Sequence, residues 1–516
     1  MHPFNPYAFS PPDFASLAAK SEKLGKLVHR IPFPEEAKAQ DGTEEEEEES
    51  NSVYVDFKDA DSSIALTEAI LEHDFGIHVN LRRDRLCPPV PNRINYIAWL
   101  QDLMDQSTRI ARLISISEES EEEDKRPAKR TKQHVDSIRV LDIGTGASCI
   151  YPLLGCMLDD WTFIATDVDP DSIEAAQAII NDPRNQGISQ GRYSRNRLIN
   201  LINRIHLTLR RPEDTLLLDQ KDIESLRLNA ISWPRMEKGL LYHVAMCNPP
   251  FYSNEEEMQA LSRIKIQGPS AVCLGSKEEM MYPGGEVAFV TRIIEESRNL
   301  KDCVLWFTSM LGRWSSVAPL LEIIGKEKVE NIFVTPLVQG NTTRWAISWS
   351  FQPYRIDITK LQSEQYRIPK YLPLIRGHLT RLIEYHVYRP YFHLENEDQA
   401  RKNLTDYMDG FAIPWTPKGE GKSLKIVVLA STKSWGRKGR RKRERNSTIQ
   451  PSDHENKLYS KNLLLGVELE IDVLSISPTW LYGHDLGIFE SFVSFVKDWV
   501  KQLPQQIPPH QALTQQ

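Results

Sequence analysis

Nine residues, Val140 to Ser148 (VLDIGTGAS), constrain the fold of this 516-residue chain more than any other stretch. An apolar run of strand length passes Asp142 and feeds Gly144 and Gly146, before a helical pattern opens near Ser148. Two residues without side chains permit a tight turn and let a ligand approach the backbone closely. Strand, glycine turn and helix in that order open a parallel βαβ unit. The same grammar continues from Ile138 through the apolar runs IRVLDI, WTFIATDV, HVAMCNPPF, CVLWFTSM, NIFVTPLV and RWAISWSF, with helical patterns between them. This alternation predicts an α/β domain with an open, mostly parallel sheet wrapped by helices, a Rossmann-like architecture. Only QGNTT separates the last two runs, which predicts an antiparallel hairpin at one sheet edge.

Outside this core the chain changes character several times. Residues 1–52 read as an N-terminal arm ending in the acidic run Glu44 to Glu49. Residues 53–114 read as a helical cap completing the cofactor site, with helical spacing at Ser62 to Leu71 and Asn95 to Met104. Residues 115–137 read as a charged, disordered loop, and 138–352 as the Rossmann-like domain. Residues 353–503 predict a smaller C-terminal α+β domain, interrupted near 437–445 by the basic insertion RKGRRKRER, with 504–516 as a tail.

The net charge of −8 argues against a nucleic-acid partner only if it is averaged over the chain. Glu44 to Glu49 and Glu118 to Asp124 each hold six acids, and setting both aside leaves the remainder at +4. Blocks of like charge repel themselves and stay solvated, so they do not describe the folded body. No apolar stretch approaches the 18 or more residues of a membrane span, and the N-terminus shows no secretory signal pattern. The six cysteines, at 87, 149, 156, 247, 273 and 303, form no C-x-x-C pair and read as reduced, buried hydrophobes of an intracellular protein. None of the 13 histidines has metal-ligand spacing, so no metal site is expected; His378, His386 and His393 read as packing or surface residues.

The second apolar run ends at Asp167, 23 residues after Gly144. A carboxylate there can accept hydrogen bonds from both hydroxyls of a ribose. Asp169 competes for the role, and either could instead cap the helix that follows. A dinucleotide site would carry a third glycine where this chain has Cys149. Nothing is built to receive a pyrophosphate, which favours S-adenosylmethionine, whose tail is a zwitterionic amino acid.

Asn248-Pro249-Pro250-Phe251 follows the run HVAMC, hence lies at the carboxyl edge of a sheet strand. Two prolines fix φ and remove two N–H donors, leaving the Asn248 side-chain oxygen and the Pro249 carbonyl as acceptors for an exocyclic amine. Phe251 offers a face for a planar base, a contact worth about 1–3 kcal/mol. The plain structural alternative is a proline-rich strand exit with Phe251 in the core.

With these motifs in hand, the sequence resembles the U6 small nuclear RNA adenine-N6 methyltransferases, the methyltransferase-like protein 16 group, as a fungal-type member. The resemblance runs through PPDFASLA, VPNRINYIAWLQDL, VLDIGTGASCIYPLLG, ATDVD, DTLLLD, CNPPF, GGEVAFVTRII, MLG and TRWAISWSF, from about Pro11 to Phe351. It implies a class I S-adenosylmethionine-dependent methyltransferase fold and methyl transfer to adenine N6 of structured RNA, most readily U6 small nuclear RNA, with messenger RNA hairpins as further substrates. It assigns Arg93 to the cofactor carboxylate, with Gly144, Gly146 and Ser148 near the methionine end, Asp167 to the ribose, Thr215 to the pocket and Asn248 to both pocket and target amine. It implies RNA contacts for Leu261 to Val272 with Arg263 and Lys265, for Gly312-Arg313 and for Thr343-Arg344. This chain departs from animal members in carrying Asp214 where they have lysine, in an arm whose one basic-capable residue before Pro11 is His2, and in a less basic loop around Arg263. The nucleus is the expected compartment, with the cytoplasm second.

Such a site needs no histidine or cysteine base, because positioning an amine against a reactive methyl donor supplies much of the rate. Two other functions use the same residues. Protein glutamine-N5 methylation also calls for N-P-P followed by an aromatic, and an RNA-binding, splicing-associated protein could keep the fold with little catalysis. The basic stretches Lys125 to Lys132 and Arg437 to Arg445 suit RNA, and suit nuclear import equally.

Overall fold

A computed structural model describes residues 1–30, 53–119, 138–159, 161–188, 191–194, 198–226, 240–264, 275–327, 329, 331–339, 342–356, 406, 408–409, 415–418, 424–436, 463–472 and 475–500. The acidic run at Glu44, the basic tracts Lys125 to Lys132 and Arg437 to Arg445, Lys265, Cys273, His378, His386 and His393 lie outside the described residues. The chain divides into two compact units, Met1–Gln101 with Gln133–Phe351, and Asp102–Lys132 with Gln352–Gln516.

After two short helices in the arm, Phe14–Lys20 and Glu22–Gly25, the first unit continues with α1 (Ala60–Phe75) and the start of α2 (Val90–Glu119). Asp59 caps α1 by accepting from Ser62, and Gly76 ends it at φ 68°, a left-handed conformation that costs glycine little. Then come β1 (Arg139–Ile143), α3 (Ile150–Leu158), β2 (Thr162–Asp167), α4 (Pro170–Asn181), β3 (Ile205–Leu209) and β4 (Tyr242–Cys247). They are followed by α5 (Gly285–Ser297), β5 (Val304–Leu311), α6 (Val317–Lys326), β6 (Asn331–Gln339) and β7 (Thr342–Ser350). The strands form one sheet in the order β6-β7-β5-β4-β1-β2-β3. β3, β2, β1, β4 and β5 pair in parallel, while β7 runs antiparallel to both β5 and β6.

The expected hairpin is therefore present, and it fills the space beside β5. Every residue of β1 and β5 is buried, as a central strand covered on both faces requires. The strand IHLTL (β3) was not legible as one: it lies at the sheet edge, and its three central residues, His206 to Thr208, are half-buried, so the apolar run that marks the inner strands is missing. Helix α3 approaches the sheet through Gly155, where a methyl group would sit 2.5 Å from the Phe163 ring.

The domain divisions differ from those read in the sequence. The cap does not end at residue 114, because α2 runs unbroken to Glu119. After Pro91, tolerated in the first turn, the helix contains no proline or glycine to stop it. Its residues up to Gln101 belong with the arm and the sheet in the first unit, and from Asp102 onward they belong to the second.

In the second unit, β8 (Trp415–Lys418), β9 (Leu424–Ala430), β10 (Leu465–Asp472) and β11 (Ser475–Tyr482) form a four-stranded antiparallel sheet, with α7 (Leu486–Val500) after it. Ile426, Val428, Val467 and Leu469 share a core with Phe489, Phe492, Val493 and Val496 of α7. The alternate residues Val427 and Leu429 pack with Ile110 of α2 and Leu481. SISPTWLY (β11) was not singled out in the sequence; it contains Pro478, and an edge strand tolerates the missing N–H.

Candidate functional site

A cavity of about 280 Å³ opens at the carboxyl ends of β1, β2 and β4. That is close to the lower end of small-molecule sites, roughly 300 Å³. The glycine turn after β1 forms one wall. Gly144 and Gly146 adopt φ of 71° and 67°, which an L side chain rarely takes. The Gly144 and Thr145 amides donate to Thr166 O at 2.9 and 3.0 Å, tying the turn to the end of β2. The Gly146 amide donates to Asp167 Oδ2 at 2.8 Å, and the Asp169 amide to Asp167 Oδ1 at 3.0 Å. Burial raises the Asp167 carboxyl above its ordinary range.

The two competing aspartates separate cleanly. Asp169 is the N-cap of α4, accepting from the Asp171 and Ser172 amides, and it pairs with Arg85 at 3.0 Å. Asp167 lines the cavity and Asp169 does not.

Arg93, Gly144, Gly146, Ser148, Asp167, Thr215 and Asn248, drawn from α2, β1, β2, β4 and the loop after β3, all line this one cavity. Arg93 is buried, donates from Nη1 to the Tyr151 hydroxyl at 2.9 Å, and lies over the Tyr151 ring. Its Nε is buried with no hydrogen-bond partner among the described residues. The same holds for Asn248 Oδ1. A buried donor on a cation and a buried amide acceptor, left unpaired on the walls of one cavity, suit a ligand that brings a carboxylate and an amine. These residues fit S-adenosylmethionine.

Pro250 lines the cavity and Pro249 is buried beside it. Phe251 does not line it. The Arg344 guanidinium stands 5.2 Å from the Phe251 ring centre, and Arg313 Nη2 donates to the Phe251 carbonyl at 2.9 Å. Arg313 also pairs with Glu257 at 2.6 Å, so it is committed to protein partners where the resemblance implied an RNA contact. Arg263 falls in the helix Glu255–Ile264, and its side chain lies outside the described residues.

Among the lining residues that sequence reasoning did not single out are Glu279, Tyr282 and Arg292. Glu279 Oε2 accepts from the Leu86 amide at 3.0 Å and the Ser276 amide at 2.9 Å. The spacing Ser276-x-x-Glu279 is a capping box, so that signal was legible although its position over the site was not. Arg292 donates to the carbonyls of Pro212 and Asp214, holding the loop that carries Thr215. Asp214 accepts from the Arg211 amide at 2.9 Å and closes its own turn. Cys87, Cys149, Cys156, Cys247 and Cys303 are free thiols; burial pushes Cys149 far up. Among the described residues no cluster is placed to hold a metal ion, and no helix is long and apolar enough to cross a membrane.

A family model described as an RNA methyltransferase matches residues 1–118, 125–204 and 219–353. The chain is 31% identical over 442 residues to the U6 small nuclear RNA (adenine-(43)-N(6))-methyltransferase of Schizosaccharomyces pombe, covering 85% of this chain and 93% of that one. It is 33% identical over 353 residues to the RNA N(6)-adenosine-methyltransferase mettl16 of Danio rerio, covering 68% of this chain and 59% of the relative. The solved hMettl16 catalytic domain in complex with the MAT2A 3'UTR hairpin 1 is 32% identical, with 68% of this chain and 95% of that chain covered and a TM-score of 0.49.

Proposed function

The chain belongs to the RNA methyltransferase family, and from that membership we propose that it methylates adenine N6 in structured RNA, with U6 small nuclear RNA as the principal substrate and messenger RNA hairpins as further ones. S-adenosylmethionine, when bound, supplies an electrophilic methyl group. The observation that carries the reading is the unpaired, buried Asn248 Oδ1 on the cavity wall, at the end of β4 and ahead of two prolines.

Arg93 holds the cofactor's carboxylate, the turn from Gly144 to Ser148 receives its amino-acid end, and Asp167 takes the ribose hydroxyls. Asn248 Oδ1 and the Pro249 carbonyl accept the two protons of the N6 amine, which fixes the nitrogen and directs its lone pair. The adenine must leave its stack to reach them, at least cost from a bulge or loop. Phe251 supplies a face for the extruded base. Arg344, over the same ring near the start of β7, donates to the Gly312 carbonyl. Given a U6 substrate, the protein acts in the nucleus, a placement that the basic tracts support.

Replacing Asn248 with Ala tests the reading. Methyl transfer to a U6-type hairpin should fall at least 100-fold, about 3 kcal/mol of barrier. Tritiated-methyl transfer to total RNA and total protein should label RNA alone. A variant with the parent's rate, or label confined to protein, would sink it.

A further inference from the structure

Glu286 is a buried carboxylate outside the cavity. It stands in the first turn of α5, 1% exposed, and receives three hydrogen bonds from the segment after β5. The Gly312 amide donates to Oε2 at 2.6 Å, while the Arg313 amide and the Ser316 hydroxyl donate to Oε1 at 3.2 and 2.5 Å. Arg313 Nε lies 3.8 Å away.

A charge this deep is costly unless fully paired, and here every partner belongs to one turn. That turn carries Phe251. A methyl group on Gly312 would meet Phe251 Cδ1 at 2.8 Å, so the ring rests directly on the glycine. The guanidinium of Arg313 holds the Phe251 carbonyl, and Arg344, over the Phe251 ring, donates to the Gly312 carbonyl at 3.2 Å. Arg313 is braced in turn by Glu257, whose other oxygen accepts from the Ser253 amide and hydroxyl at 2.7 and 2.6 Å. Gly285, the neighbour of Glu286, closes the circuit, since a methyl group there would stand 3.6 Å from Phe251 O.

We propose that Glu286 is a positioning residue for methyl transfer: by fixing Gly312 and Arg313 it sets the height and tilt of the Phe251 face on which the target adenine is held. The inference rests on the reading of Phe251 as the base platform. Glu286 does not line the cofactor cavity, and its hydrogen bonds go to the target side. A misplaced platform should therefore cost turnover while leaving cofactor affinity intact.

The variant is Glu286→Gln, which keeps the shape but turns an amide NH₂ towards donors that need acceptors. On a U6-type hairpin kcat should fall 10- to 100-fold, with the KM for RNA and its salt dependence within 3-fold of the parent. S-adenosylhomocysteine affinity by calorimetry should stay within 3-fold. Hairpin carrying 2-aminopurine at the target position should be quenched on binding the parent and markedly less by the variant. Gly312→Ala, which pushes the ring from beneath, should show the same signature. Amide exchange at Phe251 to Ser253 should quicken in Glu286→Gln without any RNA. Parent-like kcat, quenching and exchange would overturn the proposal, and so would loss of cofactor affinity in step with kcat. Failure of the parent to methylate RNA or quench the probe would count against the substrate reading, with the exchange measurement still deciding the role of Glu286.

Discussion

The Gly146 amide donates to Asp167 Oδ2 at 2.8 Å, so the glycine turn after β1 and the acid at the end of β2 form one hydrogen-bonded piece. Asp167 thereby has two tasks: it holds the turn at φ 67° and presents its remaining lone pairs to the cavity. Replacing it with Ala should lower cofactor affinity at least 30-fold, roughly 2 kcal/mol. Asp167→Asn, which keeps one acceptor oxygen, should lose less. RNA affinity in the absence of cofactor should move under 3-fold in both. Titration calorimetry and a filter-binding assay separate the two quantities.

Much of this site was legible because its residues sit where strands end. An apolar run, a glycine turn and an acid 23 residues on are local signals, and the parallel sheet brings their ends together. Asn248 was legible for the same reason. What escaped were contacts made across the fold by side chains whose local sequence has another explanation. Glu279 reads as a capping-box acid and is one, yet its second partner, Leu86, lies 193 residues away. Glu286 looks like a solvated acid opening an amphipathic helix, and only the return of β5 beside it supplies its partners. The absence of breakers after Pro91 allowed α2 its full length, which the reading of a cap ending at 114 cut short, and nothing local marks Asp102 as the point where the helix passes from one unit to the other.

In the second unit, Arg109 pairs with both oxygens of Glu468 at 3.0 and 2.9 Å, the acid side chain 3% exposed and the arginine 36%. The two partners should not be equivalent. Arg109→Ala takes the two-pronged cationic partner from a buried carboxylate and should cost about 3 kcal/mol. Glu468→Gln leaves an arginine that can turn to water and should cost about half as much. The double change Arg109→Leu with Glu468→Met should recover most of the loss. Thermal melts of the full chain, read on the transition of the second unit, check the order.

Glu279 links the segment that carries Leu86 to the glycine turn. Its Oε2 accepts from the Leu86 amide, and its Oε1 lies 3.4 Å from where a Gly146 side chain would begin. Arg85, next in the chain, pairs with Asp169 at 3.0 Å, so the strap is fixed at two points beside the cavity. Glu279→Ala should release it and speed cofactor dissociation about 10-fold, with a smaller effect on association. Asp169→Ala should add to this only modestly, because Arg85 also reaches Asp171 at 3.4 Å. Stopped-flow displacement of a fluorescent cofactor analogue measures both rates.

Asp142 is the one acid of β1, 1% exposed, and the nearby Thr145 hydroxyl is its hydrogen-bonding neighbour. Burial raises its carboxyl from 3.8 to about 7; the Thr145 hydroxyl opposes the rise, the Asp167 charge adds to it and Arg93 opposes it. In the unfolded chain the group ionises near its ordinary value, so above that pH the folded state binds the extra proton. Stability therefore falls as pH climbs from about 4 to 7 and levels off beyond, the reverse of the usual salt-bridged aspartate. The full penalty is of the order of 4 kcal/mol. Asp142→Asn removes this titration, so its melting temperature relative to the parent should rise progressively between pH 5 and pH 8. A difference independent of pH would show that Asp142 is ionised throughout. Saturating the protein with S-adenosylmethionine, which brings a positive charge into the adjoining cavity, should shrink the pH-dependent part while leaving the parent's other transitions in place.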